Sequence, residues 1–387
     1  MANIKCPYCL ETITKSSVIY ECPSCGKRYQ AVGLLKNKMP VCTNRGAHAS
    51  SIMASRILCN NKGCGNVLPA DFLDYEQTLK FSLVGTTNSG KTNFLIVMLH
   101  ELMHNLKTGL SLSTLDATSD TYTEFKSFES QMYEDHTLLP ATDRGIVDPY
   151  LWRIRDRNKA KGNVIPSYSL TIYDGAGENF SNIDQAENTV LSRYLCDTKT
   201  LFILIDPLQL SSIRKQGVGG ESVDFSNLDG QDAAESLDKV VTYLRTNKGL
   251  GANQLIDMNI AIIFTKIDAL VDEDGVLQFG DGDLILRRST ASHFGCFDFR
   301  RGGFDMKEAT IVSNSIRDFI MEREPRFYNI LETNFIKNKI QYFAVSALGN
   351  PPVKENGQTM IQHIDPIRVL DPFLWMMMKE GFIKELK

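Results

Sequence analysis

The sequence predicts an α/β protein with a small cysteine-rich module in front of it. Apolar, strand-like runs recur between residues 78 and 387, and several of them end in a glycine-rich or acidic motif. The first run, residues 80–84, leads into a glycine-rich loop and then an apolar helix-like segment, the order expected of a sheet that binds phosphate. Seven of the nine cysteines lie before residue 65. We therefore expect a module in residues 1–70 and an α/β domain in residues 78–387.

The glycine-rich loop fits the pattern G-x-x-x-x-G-K-[ST]. Gly85 and Gly90 allow backbone angles that turn successive N–H groups toward an anion. Lys91 places a point charge at the β- and γ-phosphates, and the Thr92 hydroxyl is a hard ligand for Mg²⁺. The other predicted phosphate-binding residues of the loop are Thr87, Asn88 and Ser89. A chance match in a turn is the alternative, and three further motifs downstream argue against it.

Length and composition limit the functions open to the chain. Its 387 residues, 43% of them hydrophobic, suffice for one large core or two domains. The net charge of −4 does not indicate nucleic-acid or membrane binding, although residues 1–75 carry a net +5 and the remainder −9. No apolar run approaches the length of a membrane span, and the first residues form no apolar signal segment. We expect a cytoplasmic protein without a membrane partner.

The cysteine-rich module is predicted to bind zinc. Cys6-Pro-Tyr-Cys9 and Cys22-Pro-Ser-Cys25 are two C-x-x-C pairs, separated by twelve residues that include a strand-like run. Four thiolates at this spacing suit tetrahedral Zn²⁺. A dithiol redox pair is the alternative, but two pairs in tandem favour metal.

A second set of candidate zinc ligands has looser spacing: Cys42, His48, Cys59 and Cys64. His48 is the weakest of these and is otherwise a plain loop histidine. The sequence does not fix the pairing, so sequential sites or alternating, cross-braced sites are both open. Without metal, so few residues are not expected to build a sufficient core. We expect one or two zinc ions and contact with a protein partner, and nucleic acid is the less favoured partner because the charges are scattered and aromatic residues sparse.

The helix predicted after the phosphate loop, residues 91–106, contains an H-E-x-x-H segment. His100 and His104 with Glu101 would match a zinc protease motif. This helix must pack one face on the sheet, and no third ligand is evident in the sequence. We therefore expect both histidines to be surface or packing residues.

Residues 107–148 read as a polar, irregular insertion with a helix near 123–133. A nucleotide-sensing loop would lie here, and a threonine hydroxyl just before the next strand would complete the Mg²⁺ shell. Thr142 is the best-placed candidate and Thr137 the alternative. The other interpretation of Thr142 is an ordinary loop threonine.

Two strand-like runs, residues 150–156 and 168–173, predict a hairpin that ends at Asp174-Gly175-Ala176-Gly177-Glu178. An acidic residue directly after a buried strand is the position that holds Mg²⁺ in phosphate-loop enzymes, which points to Asp174. Gly177 can offer its N–H to a γ-phosphate. Glu178 is placed to orient an attacking water, and its alternative is a solvent-exposed loop residue.

The remaining elements are expected as strands at 201–205, 260–264 and 340–345 and as helices at 232–246, 307–324 and 371–386. Residues 269–340 are longer than a link between strands needs, so we treat them as a second insertion. The segment 208–230 is rich in glycine and serine and is expected to be a loop.

The motif Thr265-Lys266-Ile267-Asp268 follows the strand expected at 260–264 and predicts which base the bound nucleotide carries. The Asp268 carboxylate can accept two hydrogen bonds from guanine, at N1–H and at the exocyclic amine. Adenine lacks that pair of donors and would leave the carboxylate unpaired. The Lys266 stem can lie along the base, and Ser346 and Ala347 form a small-residue turn that lets the backbone approach the guanine oxygen.

In order, GTTNSGKT, DGAGE, TKID and SAL resemble the motif set of Ras-like and translation-factor-class GTPases, over about residues 78–387. The resemblance implies a doubly wound, mostly parallel sheet of six strands with nucleotide at the carboxyl ends of the strands. The cysteine-rich ribbon and the ending at 369–375 are similar to bacterial double-GTPase families, which are associated with conflict and defence systems. Here there is one phosphate loop, Thr265 stands where Asn is commoner, and Glu178 stands where Gln is commoner.

Together these features predict a switch that hydrolyses GTP to GDP and phosphate with Mg²⁺. Three alternatives remain open at this point, of which the first two are a nucleotide-binding scaffold with negligible turnover and an ATPase or kinase. A nucleic-acid module driven by residues 1–70 is a third.

Overall fold

In the computed structural model of the chain, the described residues are 4–14, 16–30, 39–69, 71–75, 77–85, 89–104, 109–114, 120–139, 149–174, 189–210, 213, 233–272, 274–277, 279–289, 293–355 and 358–386. The strands, in chain order, are β1 (Ile4–Lys5), β2 (Thr12–Ile13), β3 (Ile19–Glu21), β4 (Arg28–Gln30), β5 (Val41–Cys42), β6 (Ile52–Met53), β7 (Arg56–Leu58), β8 (Val67–Leu68), β9 (Thr78–Gly85), β10 (Leu110–Thr114), β11 (Tyr150–Asp156), β12 (Ser167–Asp174), β13 (Thr200–Ile205), β14 (Asn259–Phe264), β15 (His293–Phe294), β16 (Phe297–Asp298), β17 (Gly303–Asp305), β18 (Ile340–Ala344), β19 (Val353–Glu355), β20 (Gln358–Met360) and β21 (Lys384–Leu386). The α-helices are α1 (Lys91–His104), α2 (Asp120–Tyr133), α3 (Thr189–Asp197), α4 (Ala233–Asn247), α5 (Gly282–Ile285), α6 (Met306–Arg323), α7 (Pro325–Asn334) and α8 (Asp371–Lys379).

A seven-stranded sheet forms the centre of the α/β part, in the order β10-β11-β12-β9-β13-β14-β18. The five strands from β12 to β18 run parallel, and β10 and β11 add antiparallel pairs at one edge. One hydrophobic cluster contains residues of α1 and α8, and a second contains residues of α4, α6 and α7. The predicted α/β class, doubly wound and mostly parallel, is confirmed. Because β9 lies between β12 and β13, the strand order reverses beside it, where such sheets bind their ligands.

The sheet has one strand more than the six expected. β10 lies within the segment that reads as polar and irregular, and its sequence LSLST alternates between apolar and polar residues. Leu110 and Leu112 are buried while they pair with β11. This alternation is the pattern of a strand with one buried face, and it is short enough to be missed among Ser and Thr residues.

The second insertion contributes a small sheet of its own, in the order β15-β16-β17-β21. The C-terminal strand β21 pairs in parallel with β17. The predicted closing helix at 371–386 is therefore wrong beyond Lys379. The chain turns at Gly381, which has φ +81°, and Phe382 donates its N–H to the Met377 carbonyl at 2.8 Å. A glycine in this left-handed conformation is a common helix stop.

A buried arginine joins the second insertion to α8. Arg368 is 2% exposed, and its Nη1 lies 2.7 Å from Asp371 Oδ2. Its Nη2 pairs with Glu308 on α6, and its Nε donates to the Leu284 carbonyl at 3.0 Å. These hydrogen bonds satisfy a charge that would otherwise be costly to bury.

Replacing Arg368 by Met should destabilise the protein by about 3 kcal/mol, because the buried Asp371 loses its cation and Glu308 keeps only Arg287. The free energy of urea unfolding measures this. Arg317→Met is the control, since Arg317 pairs with the exposed Asp318 and such pairs contribute at most about 1 kcal/mol. Equal unfolding free energies for the two variants would contradict the assigned role of Arg368.

The N-terminal part forms a four-stranded sheet in the order β4-β3-β7-β8, with hairpins β1–β2 and β5–β6. Its small hydrophobic cluster continues onto Leu151 of β11. It also contacts α3, since Tyr194 donates its hydroxyl proton to the Tyr8 carbonyl at 2.7 Å and Arg193 donates to the Cys9 carbonyl at 3.0 Å. The N-terminal part thus touches both β11 of the central sheet and the helix before β13.

Candidate functional site

Parallel strands bring the sequence-predicted motifs to one edge of the central sheet. Asp174 ends β12 beside Leu83, and Gly85 ends β9 beside Leu204 of β13. The motif at 265–268 directly follows β14, and Ser346 follows β18, its neighbour. The structure therefore brings together residues far apart in the sequence.

Glycine is required at Gly85 in the phosphate loop. A Cβ there would lie 2.7 Å from both the Leu204 carbonyl oxygen and Ser89 Oγ. Gly90 has φ +78° immediately before α1. The Thr265 hydroxyl donates to the Ser89 carbonyl at 2.8 Å, so the loop is attached to the strand that carries the predicted base motif. Thr87 and Asn88 lie outside the described residues.

Lys91 and Asp174 form a buried pair of charges beside the loop. Lys91 Nζ donates to the Gly85 carbonyl at 3.2 Å. Burial lowers the pKa of Lys91, and the charge of Asp174 opposes this shift. Burial raises the pKa of Asp174 to about 6, with Lys91 opposing the rise and Glu124 of α2 adding to it. Both groups are poorly solvated here, as expected where a phosphate anion and a cation would replace water.

The donor set beside Lys91 fits Mg²⁺. Asp174 Oδ1 is buried and, within the part of the chain described, accepts no hydrogen bond. An unpartnered carboxylate oxygen is costly to bury, and a hard cation is a ligand that would satisfy it. Thr92, the second residue of α1, is the predicted hydroxyl ligand at the same edge.

A second carboxylate with a buried oxygen belongs to the half-buried Asp268, in the short 3₁₀ helix Ile267–Leu270. Burial raises its pKa, and a hydrogen bond with Ser346 opposes the rise. Its Oδ1 atom is buried and has no hydrogen-bond partner among the described residues. The Ser346 turn therefore holds the carboxylate on one side, and on the other side Oδ1 lacks a hydrogen-bond donor among the described residues. Ala347 follows in the same turn and is half-buried.

Beside the predicted Lys266, three residues near this carboxylate were not predicted from the sequence: Asp206, Arg288 and Asp365. Lys266 has φ +51°, and its ammonium lies 2.6 Å from the buried carboxylate Oδ2 of Asp206. Arg288, from the second insertion, donates to the Gly349 carbonyl at 2.9 Å and lies 2.8 Å from Asp365. Asp206 was visible as an acidic strand end, but nothing in the sequence connects Arg288 or Asp365 to this turn.

Other predicted site residues fall on parts of the chain that are not described. Thr142, Gly177 and Glu178 lie outside the described residues. The alternative threonine, Thr137, donates its hydroxyl proton to the Gln131 carbonyl at 3.3 Å near the end of α2.

The cysteines form two groups, each with four ligand atoms in proximity. The members are Cys6, Cys9, Cys59 and Cys64 in the first group, and Cys22, Cys25, Cys42 and His48 in the second. Cys9 Sγ lies 3.7 Å from Cys59 Sγ, and Cys25 Sγ lies 3.6 Å from Cys42 Sγ. Sulfur atoms at the corners of a tetrahedral zinc site are about 3.8 Å apart, so the geometry of both groups could hold zinc.

The pairing of these ligands is neither of the two arrangements considered from the sequence. The first C-x-x-C pair joins the last pair, and the second group lies entirely between them. The antiparallel pairing of β3 with β7 brings the chain before Cys22 beside the chain before Cys59, and this register produces the nested order. His48 takes part through Nε2, 3.2 Å from Cys42 Sγ, while its Nδ1 lies 2.6 Å from the Ser50 carbonyl.

None of the helices in the described ranges is both long and apolar enough to cross a membrane.

The solved structures compared with the chain include GTPase-like domains of low sequence identity. The S. cerevisiae Ski7 GTPase-like domain bound to GDP and inorganic phosphate is 14% identical, with a TM-score of 0.35, over 80% of this chain and 52% of that chain. The same domain bound to GTP gives 16% identity and a TM-score of 0.32 over the same shares. Sup35 complexed with GDP gives 9% and 0.27, over 72% of this chain and 39% of that chain. The chain thus spans about half of the Ski7 chain, and these scores are too low to support an argument.

No curated protein matches the chain. The model of the Double-GTPase 2 family matches residues 81–318, which is more than half of the chain. The matched region includes the phosphate loop, Asp174 and the motif at 265–268. The chain therefore belongs to the Double-GTPase 2 family of P-loop GTPases.

Proposed function

We propose that the chain binds GTP with Mg²⁺ and hydrolyses it to GDP and phosphate. The observation that carries this proposal is the Asp268 carboxylate, whose Oδ1 atom is buried at the edge of the sheet that also holds the phosphate loop. Its Oδ1 atom lacks a hydrogen-bond partner in the described part of the chain. Guanine supplies a pair of N–H donors that fits such a carboxylate, and adenine does not.

We assign the phosphates to the loop that ends at Lys91. Its backbone N–H groups and the positive end of α1 would bind the phosphate oxygens, and the Lys91 ammonium would neutralise the β- and γ-phosphates. Thr92 and Asp174 would hold Mg²⁺, which supplies charge neutralisation on the transferred phosphoryl group. Glu178 would orient the attacking water, with the Gly177 N–H on the γ-phosphate and the Thr142 hydroxyl completing the Mg²⁺ shell.

We further propose that GTP acts here as a switch. In the sequence, the predicted nucleotide-sensing residues Thr142 and Gly177 flank β11 and β12, and α3 is the first helix after Gly177 in the part of the chain that the structure describes. The N-terminal part contacts α3 through Tyr194 and Arg193, so a displacement of that helix would reach it directly. A change at the γ-phosphate could thus be relayed to the N-terminal surface.

In this proposal residues 1–70 form a zinc-binding module that contacts a protein partner. Residues 78–387 form the nucleotide-binding domain, with insertions near 107–148 and 269–340. Contact with a protein is favoured over nucleic acid because the positive charge of residues 1–75 is scattered. A role in bacterial conflict or defence is proposed from the family resemblance alone.

Lys91→Ala should lower GTP affinity by roughly a hundredfold, because a buried cation is removed from the phosphate loop. A titration with a fluorescent GTP analogue in Mg²⁺ measures this. Lys307→Ala is the matched control, since Lys307 is the exposed second residue of α6 and should leave affinity unchanged. GTP binding that survives Lys91→Ala would contradict the phosphate-loop assignment.

Phosphate release under multiple turnover distinguishes an enzyme from a scaffold. We expect Mg²⁺-dependent release from GTP and a rate that changes at least about tenfold in Glu178→Gln. If release is near zero in both proteins, the alternative of a nucleotide-binding scaffold is favoured. If ATP is hydrolysed as well as GTP, the chain is an ATPase.

A further inference from the structure

The two histidines of the H-E-x-x-H segment converge with a glutamate of the neighbouring helix. His100 and His104 lie one turn apart on α1, and Glu129 lies on α2. Glu129 Oε1 is 2.8 Å from His100 Nδ1 and 3.4 Å from His104 Nε2. The sequence suggested surface or packing histidines because no third ligand was evident. The packing of α2 on α1 supplies that third group.

The surroundings hold these three side chains in place. Glu129 is 8% exposed, and its second carboxylate oxygen pairs with the Lys126 ammonium. The Tyr133 ring stacks on His100, with centroids 3.9 Å apart and planes 16° from parallel. Such partners fix the orientation of ligands in metal sites, and here they leave Glu129 Oε1 directed at the two imidazoles.

We propose that His100, His104 and Glu129 bind a zinc ion whose fourth position is open to water. Two imidazoles and one carboxylate are a donor set that zinc takes when three protein ligands leave one position free. The ligand atoms lie within 4.8 Å of one another. Nitrogen and oxygen ligands of tetrahedral zinc are about 3.4 Å apart, so small rotations of the side chains suffice. The His104 side chain is 55% exposed, which gives the ion an entry path and water access to the fourth position.

This site is separate from the predicted Mg²⁺ site. His100 follows Lys91 by nine residues on α1, which places it about 14 Å along the helix at 1.5 Å per residue. The ion would join the C-terminal end of α1 to α2, the helix that precedes the segment containing Thr142. It would therefore fix two elements next to the nucleotide site without touching nucleotide.

Metal content of the full-length protein tests the proposal. After saturation with zinc and removal of unbound metal, elemental analysis should find one zinc ion fewer per chain in His104→Ala than in wild type. His363→Ala is the matched control, because His363 is an exposed histidine outside the cluster and should leave zinc content unchanged. Since His104 is largely exposed, its replacement should preserve the circular dichroism spectrum and thermal unfolding of the chain.

Absorption of bound Co²⁺ provides a second measurement, and it distinguishes the histidine cluster from the two cysteine groups. With the cysteine groups filled with zinc, added Co²⁺ should give visible d–d absorption without a thiolate charge-transfer band. Glu129→Gln and His104→Ala should each weaken this binding by at least roughly a hundredfold. Equal zinc content in all proteins, with no Co²⁺ absorption in wild type, would show that the cluster is only an ion pair of imidazoles and a carboxylate.

Discussion

Asp268→Asn should weaken GTP binding by about a thousandfold, equivalent to about 4 kcal/mol. The buried carboxylate would accept two N–H groups from guanine, whereas an amide presents one acceptor and one donor. The amide N–H₂ would then face the exocyclic amine of the base, so one buried donor is left unpaired and a charge-assisted hydrogen bond is lost. Titration with fluorescent GTP and ATP analogues in Mg²⁺ measures the change for each base.

Xanthosine triphosphate sharpens this experiment. Its ring carries a carbonyl where guanine carries the amine, so Asp268→Asn should bind it more tightly than GTP. Asp257→Asn is the matched control, because Asp257 is exposed just before β14, at the opposite end of that strand. If the wild type binds GTP and ATP with equal affinity and Asp268→Asn changes neither affinity, the assignment of Asp268 to guanine recognition is wrong.

Cys59→Ser should abolish zinc binding at the first cysteine group and unfold the N-terminal part around it. Cys59 is 2% exposed and lies in the same small cluster as Cys6 and Ile57. Binding of a structural zinc contributes roughly 10 kcal/mol or more to such small units, far more than their apolar cores can. The loss should appear as one zinc ion fewer per chain and as proteolytic cleavage within residues 1–70 at least about tenfold faster.

The control for this change is Cys196→Ser. Cys196 is a half-buried free cysteine on α3, outside both groups, and its replacement should change neither zinc content nor cleavage rate. Removing zinc with a chelator should reproduce the Cys59→Ser result in wild type. A cleavage rate that does not depend on zinc would show that the module is held by its own core.

The fold was largely predictable because its signals are local. The strands β13 and β14 are almost continuous apolar runs, β9 has apolar residues at alternate positions, and β9 leads directly into the phosphate loop and α1. The elements that were missed depend on tertiary pairing. β21 is a strand only because β17 lies beside it, and the alternation in β10 matters only because β11 is present.

The residues of the candidate site that could be predicted belong to short motifs of neighbouring residues. Asp174 and Asp268 each follow a buried strand, and each has a carboxylate oxygen that no described group satisfies. The nested zinc pairing, Glu129 and Arg288 could not be found this way. Their positions are set by strand register and helix packing across long sequence separations, and no short pattern contains both members of such a contact.

The nested order of the zinc ligands also has a consequence for how the module assembles. Cys25 and Cys42 are 17 residues apart, whereas Cys9 and Cys59 are 50 apart. Closing the longer loop in an unfolded chain costs about 1 kcal/mol more in entropy. Once the inner group has bound its zinc ion, the loop between the outer ligands is effectively shorter. Much of the entropy of closing that loop has then already been lost. The inner site should therefore close first during synthesis, and the outer site, which carries the contacts to α3, should form last.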